Sequence, residues 1–153
     1  MLDDRFNTAI KRLYMAALVV AIFTGVGNMP MYGRYFVADI PGFGWADDFF
    51  ILLYVHYLSG AVLLMVSTYF LIIYSRRIGR VARLSSAGTA RAALLGLVLI
   101  SGVLAAVKNL PSVNLSMIGL MAIVFTHLGA AMAFILVSIS LRILKRQWLR
   151  KIP

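Results

Sequence analysis

The chain contains no cysteine. That excludes a disulfide, an iron–sulfur cluster and a haem attached through a C-x-x-C-H thioether motif. Cysteine usage therefore says nothing of redox compartment, and any cluster serving this chain lies on another subunit. Acidic side chains are nearly as scarce, with 5 Asp and Glu against 15 Lys and Arg. No paired carboxylates, Ser-His-Asp arrangement or phosphate-binding glycine loop stands in a usable setting, which argues against hydrolysis and group transfer. Charge of either sign is thin. It makes up 13% of the chain, where a soluble domain carries about a quarter.

Apolar residues fill the space. They are 62% of the 153 residues, and the mean hydropathy is +0.93. These values predict an all-α integral membrane protein, a four-helix bundle forming a single domain over 1–153. Four uncharged runs mark the spans: about 13–32, 49–74, 92–110 and 115–141. Crossing a bilayer takes about 20 apolar residues. The third run is marginal, with 16 uncharged residues between Arg91 and Lys108, although Lys108 can snorkel to the interface. No internal repeat or low-complexity tract stands out.

The net charge of +10 is placed as a topology signal rather than a nucleic-acid surface. Arg5, Lys11 and Arg12 precede the first run. Arg76, Arg77, Arg80, Arg83 and Arg91 separate the second and third, and Arg142, Lys145, Arg146, Arg150 and Lys151 follow the fourth. Only Arg34 and Lys108 fall on the other side. The positive-inside rule then puts both termini in the cytoplasm, the chain in the inner (cytoplasmic) membrane, and the basic residues among anionic membrane lipids. The amino terminus carries acids and lacks a small-residue cleavage site, so it reads as a retained start rather than a signal peptide. Outside, the loop MYGRYFVADIPGFGWADDF supplies Tyr32, Tyr35, Trp45 and Phe49 for an interfacial aromatic belt. Inside, RRIGRVARLSSAGTAR reads as a polar, flexible loop. The tail LKRQWLRKIP reads as a basic amphipathic extension of the fourth helix, lying at the membrane surface.

Two histidines, His56 and His127, are the only ones, and each lies within an apolar run. An ionisable side chain in a span is by default a functional-site hypothesis, and imidazole is well suited to bind a metal from a helix face. His56 lies eight residues past Asp48, about 12 Å along a helix, in the outer half. His127 lies 15 residues before Arg142 and 18 before Lys145, about 22 and 27 Å. The depths match if Lys145 marks the inner boundary. Both runs cross from outside to inside, so their imidazoles can face each other and hold one haem iron. A bare Zn²⁺ needs three or four ligands, whereas low-spin haem iron needs two imidazoles.

Small residues accompany both histidines: Gly60 four residues past His56, Ala130 and Ala131 past His127, Thr24, Gly25 and Gly27 in the first run, Gly96 and Gly102 in the third. They allow close approach of a macrocycle, and they serve helix packing equally well. The alternative for each histidine is a hydrogen bond to a neighbouring helix, through Ser59, Thr126 or a backbone carbonyl. Met15, Met65, Met117, Met121 and Met132 read as packing. Tyr54 and Tyr57 flank His56 as cofactor packing, with a quinone contact as the less favoured role.

The segments FTG, YVHYLSG, ISG and FTHLGAA, one per run, resemble the four-helix membrane cytochrome b subunits of respiratory enzymes. These include formate dehydrogenase gamma subunits and the cytochrome b561/hydrogenase type. The resemblance implies electron transport by one haem b near the outer face, with His56 and His127 as its iron ligands. It also implies exchange with the quinone pool and with an iron–sulfur or c-type haem redox subunit of an oxidoreductase complex. Arg34 and Lys108, the two outer basic residues, would pair with outward-turned propionates. Such families place a second, inner haem between a histidine early in the first helix and another about four turns past the outer ligand of the fourth. This chain has Arg12, Leu13 and Tyr14 at the first place and Leu141 near the second. The resemblance therefore implies a single haem and puts the inner quinone site in doubt. The competing expectations are a haem-free membrane anchor or assembly subunit, and a small transporter using the histidines as a relay.

Overall fold

The computed structural model describes residues 4–29, 37–80 and 82–151. Arg34, Tyr32 and Tyr35 lie outside the described residues. Four long helices dominate: α1 (Asp4–Gly27), α2 (Phe49–Arg76), α3 (Ser86–Val107) and α4 (Met117–Ile143). Each carries a stretch long and apolar enough to cross a membrane, the shortest being Thr8–Gly27 with 20 residues, about 30 Å of helix. At most 22% of any such stretch is buried within the protein, so most of its apolar surface is left for lipid. The chain is an all-α, multi-pass membrane protein.

Capping chemistry, more than apolar count, sets the helix ends. α1 stops at Gly27 rather than near Tyr32. The Asn28 side chain donates to the Thr24 carbonyl at 2.8 Å, its backbone N–H reaches the same oxygen at 3.0 Å, and Pro30 biases Met29 away from helix. Asp48 caps α2, its Oδ1 accepting from the N–H groups of Phe50 at 2.7 Å and Ile51 at 3.1 Å. The Ser85 hydroxyl caps α3 by accepting from the Gly88 N–H at 2.9 Å. That start is six residues before Ala92, so Arg91 lies inside the helix. The third span is thus 22 residues long and no longer marginal. Ser116 caps α4 through the Gly119 N–H at 3.2 Å. A side-chain oxygen at each of these three positions satisfies donors the helix leaves open.

The chain forms two compact units, 1–69 and 70–153, which divide within α2. In the first, α1 meets the early part of α2 where Ala21, Thr24 and Gly25 face His56, and the following loop folds back on α1. There Phe23 meets the rings of Phe43 and Trp45 edge-on, both at 6.0 Å. The loop turns at Pro41-Gly42, where the Phe43 N–H reaches the Ile40 carbonyl at 2.9 Å and Gly42 takes φ 90°. A β-turn with Pro then a residue of positive φ needs glycine there.

In the second unit α3 packs along α4. One expectation is corrected here. The tail is not a helical extension: α4 ends at Ile143 and Lys145 adopts φ 52°. The Arg146 N–H closes on the Leu141 carbonyl at 2.9 Å, the six-to-one bond of a Schellman ending. Released from the helix, the chain forms β2 (Leu149–Lys151), antiparallel to β1 (Ala82–Leu84). The loop before α3 holds a 3-10 turn at Ile78–Arg80 and β1. Tyr74 holds β1, its hydroxyl accepting from the Leu84 N–H at 3.2 Å. The tail crosses the start of α3: the Ser85 N–H donates to the Trp148 carbonyl at 3.0 Å and the Ser85 hydroxyl to the Gln147 carbonyl at 2.6 Å. Gly88 makes room for this crossing, since any Cβ there would overlap the Trp148 carbonyl.

Candidate functional site: two histidine clasps

Each histidine is held by the helix before it in the chain, and the two arrangements repeat. His56, the eighth residue of α2, turns its Nδ1 toward α1. It lies 3.1 Å from the Ala21 carbonyl and 3.1 Å from the Thr24 hydroxyl. His127, the eleventh residue of α4, turns its Nδ1 toward α3, 3.1 Å from the Val98 carbonyl and 3.2 Å from the Ser101 hydroxyl. Both rings are half-buried. The hydroxyls are deeply buried, Thr24 0% and Ser101 3% exposed.

The network fixes the tautomer. A carbonyl only accepts. The Thr24 hydroxyl spends its proton on the Val20 carbonyl at 2.7 Å, and that of Ser101 on the Leu97 carbonyl at 2.6 Å. Both neighbours of each Nδ1 therefore act as acceptors, and Nδ1 carries the hydrogen. The basic lone pair of each ring then belongs to Nε2. An imidazole that donates Nδ1–H to a carbonyl is oriented, and made more basic, for ligation through its other nitrogen.

A glycine completes each clasp. A Cβ on Gly25 would stand 3.1 Å from His56 Cε1, and one on Gly102 would stand 3.0 Å from His127 Cε1. Both contacts are tighter than side chains ordinarily tolerate, so a side chain at either position would press the imidazole away from the helix. Gly25 thus seats the histidine ring itself. Gly60 is different, because a Cβ there would meet nothing within 4 Å, so that face beside His56 is open. Lys108 follows the last residue of α3 and donates to the Asn109 side chain at 2.9 Å. Ser59 bonds back to the carbonyl of His56 at 2.9 Å, leaving the interhelical role to Thr24.

The duplication extends beyond the clasp. Ala21, Thr24 and Gly25 recur 77 positions on as Val98, Ser101 and Gly102, and His56 recurs 71 positions on as His127. At the same 71-residue shift, buried Ser59 and Leu63 correspond to buried Ala130 and Phe134. Ser67 corresponds to Ser138, and both hydroxyls are buried without a hydrogen-bond partner. The repeat that the sequence hides is one of hairpins: α1–α2 and α3–α4 carry one histidine each in one setting. Among the described residues no three His, Asp or Glu gather around a common point, so each clasp offers one ligand. Comparison with protein-family models, curated proteins and solved structures finds no match.

Proposed function

We propose that the chain is a membrane cytochrome b subunit in which His56 and His127 are the axial ligands of one haem b. The observation that carries this reading is the shared bonding of Nδ1: two half-buried rings, in separate hairpins, each set Nδ1 against a carbonyl and a hydroxyl, which makes Nε2 the basic nitrogen. Bis-imidazole haem requires such a donor pair. The open face at Gly60 suits the edge of a flat apolar group. When bound, haem b supplies a one-electron iron couple tuned by its ligands and by burial.

The chain's residues then orient and insulate. Thr24, Ser101 and the two carbonyls hold the imidazoles fixed in rotation. Lys108 supplies a cation for a propionate, and Arg34 is assigned the same task from the sequence. Electrons would pass between membrane quinone and an iron–sulfur or c-type haem subunit docked on the outer loops. The basic ends of the helices would face the cytoplasm by the positive-inside rule, in the inner membrane. A haem-free anchor is the second reading. The same Nδ1 bonds favour it, because they staple each hairpin whether or not Nε2 meets iron.

An absorption spectrum of the purified, dithionite-reduced protein separates the two. We expect haem b Soret and alpha bands at one haem per chain, lost in His56→Ala and in His127→Ala alike. A folded but colourless protein would leave the anchor.

A further inference from the structure

Acidic side chains end at Asp48: residues 49–153 hold 11 of the 15 lysines and arginines and no aspartate or glutamate. The second unit therefore has no carboxylate side chain to neutralise its own cations. Strand register sets Arg83 directly opposite Arg150, a like-charged pair that opposes the pairing unless an anion offsets it. Arg91 is only 4% exposed and its Nε has no hydrogen-bond partner. Its guanidinium lies 5.2 Å from the Trp148 ring, against the tail segment. A buried cation without a counter-charge is costly.

That same tail walls an open cavity of about 400 Å³ between itself and the start of α3, lined by Ser85, Ser86, Ala87, Arg146 and Arg150 among others. The size suits a small polar ligand. The N–H groups of Ser86 and Ala87, at the first two positions of α3, have no acceptor within their own helix. Cation side chains and helix N–H groups together are the chemistry that holds a phosphate.

We propose that this cavity binds the phosphate of an anionic phospholipid headgroup. Its position favours a lipid over a free anion. It lies where α3 begins and α4 ends, at one boundary of two membrane-crossing stretches. Beside it Ile143 and Leu144, 74% and 64% exposed, offer apolar surface to acyl chains. The site shares no residue with the histidine clasps and does not depend on haem.

Trp148 reports on it directly. The full-length protein with Trp45→Phe leaves Trp148 as the sole tryptophan. It is stripped of lipid in neutral detergent and titrated with short-chain phosphatidylglycerol, phosphatidylcholine or inorganic phosphate. We expect a saturable fluorescence change with phosphatidylglycerol, at least tenfold tighter than with phosphatidylcholine or phosphate. Arg146→Gln with Arg150→Gln should weaken it roughly 30-fold, from about a kcal/mol per basic contact. Arg76→Gln with Arg77→Gln removes equal charge outside the cavity and should change it less than about twofold. Circular dichroism checks that each variant is folded. If the cavity pair does not fold, its two single variants are read instead, each expected about fivefold weaker. Equal loss in both double variants, phosphate binding as tightly as the lipid, or no saturable change overturns the proposal.

Discussion

The two hairpins hold their histidines alike but close differently. In α1–α2, 21 residues separate Gly27 from Phe49; in α3–α4, nine separate Val107 from Met117. Thr24 stands three residues from the end of its helix and Ser101 six, while His56 stands seven residues into its helix and His127 ten. The second pair of helices therefore extends about one turn further past its clasp at each facing end. Loop length and helix length vary around a fixed core of carbonyl, hydroxyl, glycine and imidazole. What has been kept is the setting of the ring, so that setting is where the hairpins should respond most alike.

The largest effect should come from filling the glycine seats. Alanine is a poor probe, because its gain in helix propensity over glycine, about 1 kcal/mol, offsets part of the contact it creates. Valine adds branched bulk against the ring at 3.0–3.1 Å, and overpacking of this kind costs about 1–3 kcal/mol. Gly25→Val and Gly102→Val should each lower thermal stability by that amount and, if the chain binds haem as proposed, remove most of it, read as the ratio of Soret absorbance to protein. If one abolishes haem and the other leaves it intact, the clasps are not equivalent. The second histidine would then be structural.

Removing the hydroxyls should matter less. Thr24→Val and Ser101→Ala keep the carbonyl acceptor, so each ring retains one partner for Nδ1–H. A net hydrogen bond contributes about 1 kcal/mol, and a loss of that size in thermal stability is expected from each variant. Haem content should stay near one per chain, while the midpoint potential shifts in the same direction in both. Opposite shifts would show that the two imidazoles experience different surroundings in spite of matching bonds.

Sequence made the helices legible because apolar runs and flanking charge are properties of composition. It placed both histidines in spans and named Gly25, but as a seat for a macrocycle rather than for an imidazole. It carried Thr24 and Ser101 inside the segments FTG and ISG, as marks of a resemblance and not as partners of the histidines. The signal was present as A-x-x-T-G and V-x-x-S-G, each followed by one histidine in the next helix. Conservative changes (Thr to Ser, Ala to Val) and a shift of 77 positions for one half against 71 for the other conceal it. Carbonyl acceptors leave no trace in sequence at all. The tail was misread for a related reason: a basic amphipathic pattern fits a surface helix, and only the backbone turn at Lys145 shows that the helix has ended.

That turn also separates the hairpins and gives the smallest expected effect. At the 71-residue shift Lys145 corresponds to Tyr74, which is still within α2, whereas α4 has already ended. Lys145 stands at φ 52°, a region in which a side chain costs about 1 kcal/mol and glycine almost nothing. Lys145→Gly should therefore raise the thermal stability of the second unit by about 0.5–1 kcal/mol, less whatever the lost charge contributes at the surface. The gain should appear with haem content unchanged, since the turn lies far along the chain from His127. Destabilisation instead would mean that the ammonium of Lys145, rather than the backbone turn alone, secures the strand pair, and that the two hairpins differ in charge as well as in path.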